Sequence, residues 1–288
     1  MSPTSFPTTD AVDVQALEPV VDRVRRGNTR SRLASTLPWR PVLGMVVFLA
    51  LLELVPRSGL VDQRYLPPLD AMVRSLGSQV GSMVFWEALG ATLRGWAIGL
   101  GIAVVAGVVL GFLLGWSRLA REFMTSTVEF FRPIPAVALI PVVLLLMGPN
   151  ASSTILMVVY ASFWQVLIQV IYGVEDTDPV ARDVASSFRF SWLETMRFVV
   201  WPSSMPYLWT GFRLAASVAL IVELTGEMII RSPGIGRQIA LAQSAGAVDE
   251  LYALVIVAGL IGVVVNLIAR QLESRTLHWH SSVTEAGR

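Results

Sequence analysis

Glu223 and Glu227 stand one helical turn apart in a stretch, residues 204–230, whose only other charge is Arg213. At i, i+4 the two carboxylates share one helix face. Gln165 and Gln169 repeat that spacing in a second apolar stretch, with Trp164 beside the first. Arg94 is a further cation inside an apolar run. A charge at the centre of a bilayer costs about 3 kcal/mol or more, so such groups face a bundle interior or water. Two chemistries are open to the carboxylates. They form a structural ion pair with Arg94, which lies at matching depth, or they line a pathway and form its outer gate. The glutamines either hydrogen-bond a small polar solute or lock helices together. Arg213, near the inner end of its stretch, snorkels or braces the neighbouring loop.

Several chemistries are excluded. Cysteine is absent, so there is no disulfide framework, thiol catalysis or cysteine metal site. All 22 basic residues are Arg, and a P-loop needs a lysine to reach the β- and γ-phosphates. The chain therefore has no ordinary nucleotide site of its own. Its two histidines, His278 and His280, flank Trp279 at the C-terminus with no third ligand nearby, which reads as an interfacial aromatic with surface histidines. An intramembrane enzyme needs a His-Glu-x-x-His motif or clustered aspartates, and neither is present. The reading is of a protein without catalytic residues, metal or cofactor.

The elements that hold these groups are membrane spans. The chain is 54% hydrophobic and 15% charged, with a mean hydropathy of +0.62. Pro133 to Val174 runs 42 residues without Asp, Glu, Lys or Arg. About 20 apolar residues cross the ~30 Å hydrocarbon core, so this run is two spans, turned at Gly148-Pro149-Asn150. Six crossings are expected, at 40–55, 87–116, 129–148, 152–174, 204–230 and 251–270. Tyr65-Leu66-Pro67-Pro68 lies in a mixed segment, and 231–250 forms a loop with a short helix. Residues 1–37 read as a basic cytoplasmic tail with an amphipathic helix near 12–26, 38–280 as the transmembrane domain with its core at 83–270, and 281–288 as a C-terminal tail. With the N-terminus inside, 15 arginines fall on the cytoplasmic side and 5 outside. That bias places both termini in the cytoplasm.

Two backbone features stand out. Gly95, Gly99, Ala103, Gly107, Gly111 and Gly115 place a small residue at every fourth position. This lets a second helix approach closely, within the chain or across a subunit seam. Pro133, Pro135 and Pro141 remove backbone donors, which is tolerated at membrane depth only beside protein or a water-filled cavity. Arg132 and the prolines after it are therefore expected beside the pathway. Ser152 and Ser153 read as part of a helix cap.

The cytoplasmic segment 175–201 is longer than a helix connection needs. Asp178-Pro179 starts a helix over Pro179–Phe188. Ser191–Val200 reads as a second, and Trp201-Pro202 ends the pair and begins the next span. Two short helices projecting from a bundle make a docking knob. Asp183-Val184-Ala185, then Arg189, then Trp201-Pro202 and Pro206, resemble the cytoplasmic EAA loop of ABC importer permeases. The chain is similar to the nitrate/sulfonate/taurine/bicarbonate type from Tyr65 to Trp279. Its other matching pieces are Phe130-Phe131-Arg132-Pro133-Ile134-Pro135, Leu139-Ile140-Pro141, Gly211–Ala215 and Gly226-Glu227-Met228 before Gly234-Ile235-Gly236.

The resemblance implies an all-α membrane permease of the bacterial inner membrane, of the type I ABC importer kind. It implies a second permease chain, two cytoplasmic ATPase subunits that hold ATP and Mg and dock on the loop, an external solute-binding protein, surrounding lipid, and no nucleic acid. The implied cargo is a small oxyanion or organic anion, with heterocyclic vitamin precursors and aromatic carboxylates as alternatives. Two positions depart from the pattern. Asp183 replaces Glu, and Arg189 replaces a Gly that would supply a left-handed turn. Either the turn differs, or Arg189 contacts the ATPase. It also fits one half of a heterodimer whose partner keeps the Gly. The competing reading is an ATP-independent secondary transporter or channel, which favours inverted repeats and leaves the loop without a purpose.

Overall fold

The computed structural model of the chain describes residues 39–277, and these form helices and turns with no strand among them. The tail helix expected near 12–26 and His278-Trp279-His280 lie outside the described residues. The chain divides into two compact units, Met1–Leu60 and Val61–Arg288. The first contains α1 (Trp39–Arg57), close to the expected span, in which Arg57 pairs with Glu53 at 2.5 Å.

The second unit is a bundle. It begins with α2 (Leu69–Val80), a short amphipathic helix in the segment after Pro68. Ser82 accepts the backbone N–H of Phe85 and so starts α3 (Met83–Trp116). Its 34 residues give a rod about 50 Å long. Ser117 both ends α3 and caps α4 (Arg118–Phe131). A short 3-10 turn, Ala136–Leu139, leads into α5 (Ile140–Met147). Asn150 accepts the N–H of Ser153 and caps α6 (Ala151–Glu175). The segment after it holds α7 (Pro179–Ser187) and α8 (Trp192–Thr195). Then come α9 (Trp201–Ile230), α10 (Ile235–Ala245) and α11 (Val248–Thr276). The helices α3, α6 and α11 are each long and apolar enough to cross a membrane, and α4 with the segment Ala136–Met147 makes a further, bent candidate. α9 is as long but carries Arg213, Glu223 and Glu227.

Two expectations need correction here. No helix begins at residue 129, which lies inside α4. α4, from Arg118, and the segment Ala136–Met147 meet at a 76° bend over Arg132–Pro135, as one broken span or as a re-entrant loop. Pro133 and Pro135 lack the N–H groups that would continue the ladder. The carbonyl of Phe131, whose i+4 donor is missing at Pro135, accepts the N–H of Ile134 at 3.2 Å and the Tyr160 hydroxyl of α6 at 2.8 Å. Arg132 thus lies one 14-residue helix away from Arg118, about 20 Å along the axis, and not at the same end. Nor does Trp201-Pro202 interrupt the chain. A π turn, Met196–Val200, runs α8 into α9 without a break, so Pro202 lies inside a continuous helix, just past the π turn.

The glycine stripe is an intrachain seam. Gly95, Gly99, Ala103, Gly107, Gly111 and Gly115 are all buried. A Cβ on Gly99, Gly107, Gly111 or Gly115 would strike Val158, Val166, Val170 or Val174 of α6, four residues that are themselves a face of that helix. An adjoining face of α6, about 100° around the helix, meets α9 in the same way, with Gly173 against Ser204 and Tyr207, Gly211 against Gln169, and Gly226 against Thr154. α6 is therefore the central helix, and close backbone approach on both faces holds it. A second buried cluster, Phe85, Ala88, Ile235, Ile239, Leu254 and Val257, joins α3, α10 and α11.

Candidate functional site

The buried carboxylates lie where α3, α9 and α10 meet. Glu223 is 3% and Glu227 0% exposed. Both Glu227 oxygens accept from the Thr92 hydroxyl, at 2.8 and 3.0 Å, and one also accepts the N–H of Gly236 at 2.7 Å. Thr92 in turn accepts the N–H of Ile235 at 2.8 Å. These two N–H groups are orphan donors at the start of α10, where a carboxylate is favoured. The corner before it is pinned by a bond between Ser232 and Thr154 of α6, 2.7 Å, also buried. Gly234 fits because a Cβ there would collide with the Glu227 carboxylate. One carboxylate thus joins three helices.

Arg94 takes no part. It is exposed, and no ion pair joins it to Glu223 or Glu227. The expected pairing fails because Arg94 lies about 200° around the helix from Thr92, which faces the joint. Glu223 sits against Gly95, and its Oε2 has no hydrogen-bond partner. Arg213 bridges to Glu273 of α11 at 2.9 Å, so it braces the bundle and not the loop. Gln165 and Gln169 are half-buried, with Gln169 against Gly211 of α9. Arg132, Pro133 and Pro135 are exposed at the bend, beside Phe131, which stacks on Trp164 at 6.4 Å. Sequence reasoning missed Thr92, Thr154 and Ser232. Thr92 carries a signal: it precedes Gly95 by three residues, on the buried face of the stripe.

The second place is the knob. Asp178 accepts the N–H of Val180 to start α7. Ser191 and Glu194 form a capping box at α8, and the two hydrogen bonds from Ser191, hydroxyl first and backbone second, hold the Glu194 carboxyl below the usual range. That cap is present above the ordinary carboxylate range and is lost as the pH falls through the lowered value. Asp183 and Val184 face outward while Ala185 is 3% exposed. Around them Phe188 is 74% and Leu193 71% exposed. Trp201 stacks on Phe112 of α3 at 5.2 Å.

Arg189 has φ +57, so the left-handed turn is kept. The bonds Arg189 N–H to Ser186 and Phe190 N–H to Ala185 close it as a Schellman motif. The chain makes the same motif after α10, through Gly246 N–H to Gln243 and Ala247 N–H to Ala242, with glycine at the left-handed position, φ +69. At 189 a Cβ is forced into that conformation, which costs about 1–2 kcal/mol. Arg189→Gly is expected to recover about 0.5–1 kcal/mol of this, after glycine's extra chain entropy. The check is a thermal unfolding midpoint raised by about 2–4 °C per kcal/mol.

Residues 103–277 match a family model described as the binding-protein-dependent transport system inner membrane component. The chain belongs to this family. As a member of the ABC importer permeases it is a transport component and not a catalyst. The taurine transport system permease protein TauC of Escherichia coli K12 is 27% identical over 244 residues, 83% of this chain and 89% of that protein. The nitrate import permease protein NrtB of Leptolyngbya laminosa is 27% identical over 209 residues, 73% and 74% of the two chains. Among solved structures, an inward-facing MetNI methionine ABC transporter matches with a TM-score of 0.59 at 14% identity, covering 67% of this permease and 95% of that chain. A bacterial ABC transporter involved in import of the acidic polysaccharide alginate matches with 0.57 at 16%, covering 88% and 99%.

Proposed function

We propose that this permease is the membrane subunit of an ATP-driven importer for a small organic or inorganic anion of the taurine, sulfonate, nitrate or bicarbonate type. The observation that carries the reading is the knob. A loop closed by two caps and a Schellman turn holds Phe188, Leu193 and Val184 out to solvent, and exposed apolar groups on a rigid scaffold mark a binding face. ATPase subunits dock there, and ATP and Mg stay on those subunits. A second permease chain completes the pathway, and a solute-binding protein delivers cargo from outside. The family names of its relatives support the cargo class.

Six crossings, both termini cytoplasmic and a bacterial inner-membrane location complete the proposal. The crossings are α1, α3, the bent α4–α5 span, α6, α9 and α11. The domain division is a tail to residue 37, a transmembrane domain over 38–280 and a short tail beyond. Arg132 moves off the cytoplasmic side, and the arginine bias survives its loss. Because the chain lacks cysteine, single cysteines test this directly. Ser187→Cys is expected to resist a membrane-impermeant maleimide in intact cells, and Gln243→Cys to react. The reverse pattern overturns the topology.

Docking is tested by mild-detergent purification from the native membrane. A soluble ATPase is expected to co-purify, and to be lost when Asp183 and Arg189 are both changed to Ala. A chain that purifies alone removes the coupling argument and favours an ATP-independent transporter.

A further inference from the structure

We propose that Arg182 is the residue through which a push on the 175–201 knob reaches the α3–α6 seam, a positioning role that rests on the reading of the knob as an ATPase dock. α7 joins α6 through the short turn Asp176-Thr177-Asp178, which left to itself is a hinge. Arg182 spans it. Its guanidinium donates to the carbonyl of Val174, in the last turn of α6, where the helix ladder has ended and the turn's backbone supplies Thr177 N–H at a long 3.4 Å. A cation there also meets the negative end of the helix dipole. The same guanidinium lies 5.8 Å from the ring of Trp116, the last residue of α3. Trp116 meets Trp192 of α8 edge-on at 6.2 Å. One half-buried side chain of α7 therefore holds the ends of α3 and α6, and Trp116 closes the circuit back to the knob.

The place matters as much as the contacts. Val174 is also the residue against which Gly115 closes the seam. From there to Gly99 the seam is backbone close to backbone, without long side chains to absorb displacement, so α3 and α6 move as one body. α9 needs no such link, because the π turn makes it continuous with α8. The knob thus drives α9 through the main chain and the α3–α6 pair through Arg182. A lysine could reach the carbonyl but could not lie flat on the indole.

The test uses the complex as purified with its ATPase, and nitroxide labels in the cysteine-free chain. One label replaces Ala97→Cys on the exposed face of α3; the other replaces Ser217→Cys on the exposed face of α9. The readout is the change in label mobility on adding ATP with vanadate. In the unaltered complex both labels are expected to respond. With Arg182→Gln, the response at 97 is expected to be lost and that at 217 kept. Trp116→Leu, made from the other side of the contact, is expected to reproduce this, and the double variant to add nothing further. If both labels still respond in Arg182→Gln, the relay is wrong. If both fall silent, Arg182 is not a selective link and the relay is wrong again. If no ATPase accompanies the unaltered chain, or neither label responds in it, the docking reading itself has failed and the relay falls with it.

Discussion

Gly111→Val is expected to unseat α3 from α6 and to cost about 3 kcal/mol or more, a folded fraction lowered by more than a hundredfold in an unfolding equilibrium. A Cβ at 111 would stand 2.7 Å from the Cβ of Val170 and 3.2 Å from the carbonyl oxygen of Leu167. Neither contact can swing aside: one is a β-branched side chain at its root, the other is backbone. The helices must part, and Gly107 against Val166 and Gly115 against Val174 open with them. Gly101→Val on the same helix is the control. Nothing lies within 4 Å of its Cβ direction, so its cost is expected to stay within about 1 kcal/mol. Denaturant unfolding of both variants in detergent separates a seam effect from a general intolerance of valine.

Glu227→Ala is expected to cost about 3–5 kcal/mol and to abolish uptake. It leaves the N–H of Gly236 and the hydroxyl of Thr92 buried without an acceptor, at about 1–3 kcal/mol each, and it opens a cavity in a site with 0% exposure. Glu227→Gln keeps the volume and one acceptor oxygen, so it is expected to lose less than half as much. Glu223 makes the contrast. It has the same residue type on the same face but an Oε2 without a partner, so Glu223→Gln is expected to be near neutral. Should Glu223→Gln destabilise more than Glu227→Ala, the division between the two carboxylates is reversed.

Much of this was legible from residue types alone. The glycine stripe of α3 announced a close seam because only small residues permit that approach, though only the structure decided that its partner was α6 of the same chain. α6 and α11 followed from long apolar runs, and α9 from one that carries Arg213, Glu223 and Glu227. The helix before the bend was missed for a physical reason: a charge-free run begins at Pro133, whereas α4 carries Arg118, Arg121, Glu122 and Glu129 and has no buried residue. A helix that buries nothing within its own chain leaves a weak apolar signature. The left-handed turn at Arg189 was foreseeable as a position and not as an outcome, because the Schellman bonds outweigh the cost of a Cβ. The joint at Glu227 was half visible. The carboxylates declared themselves by charge, but the partners of Glu227 are a threonine hydroxyl and one backbone N–H, which sequence spacing does not distinguish from ordinary helix polarity.

The central claim is that this permease moves solute only when coupled to an ATPase. Its most direct test is uptake into liposomes by the complex purified from the native membrane, with taurine and nitrate as probes and the solute-binding protein supplied outside. The account predicts accumulation of one of these anions with ATP inside the liposomes and none without it. Solute movement by the permease alone, with neither ATPase nor ATP present, would contradict it.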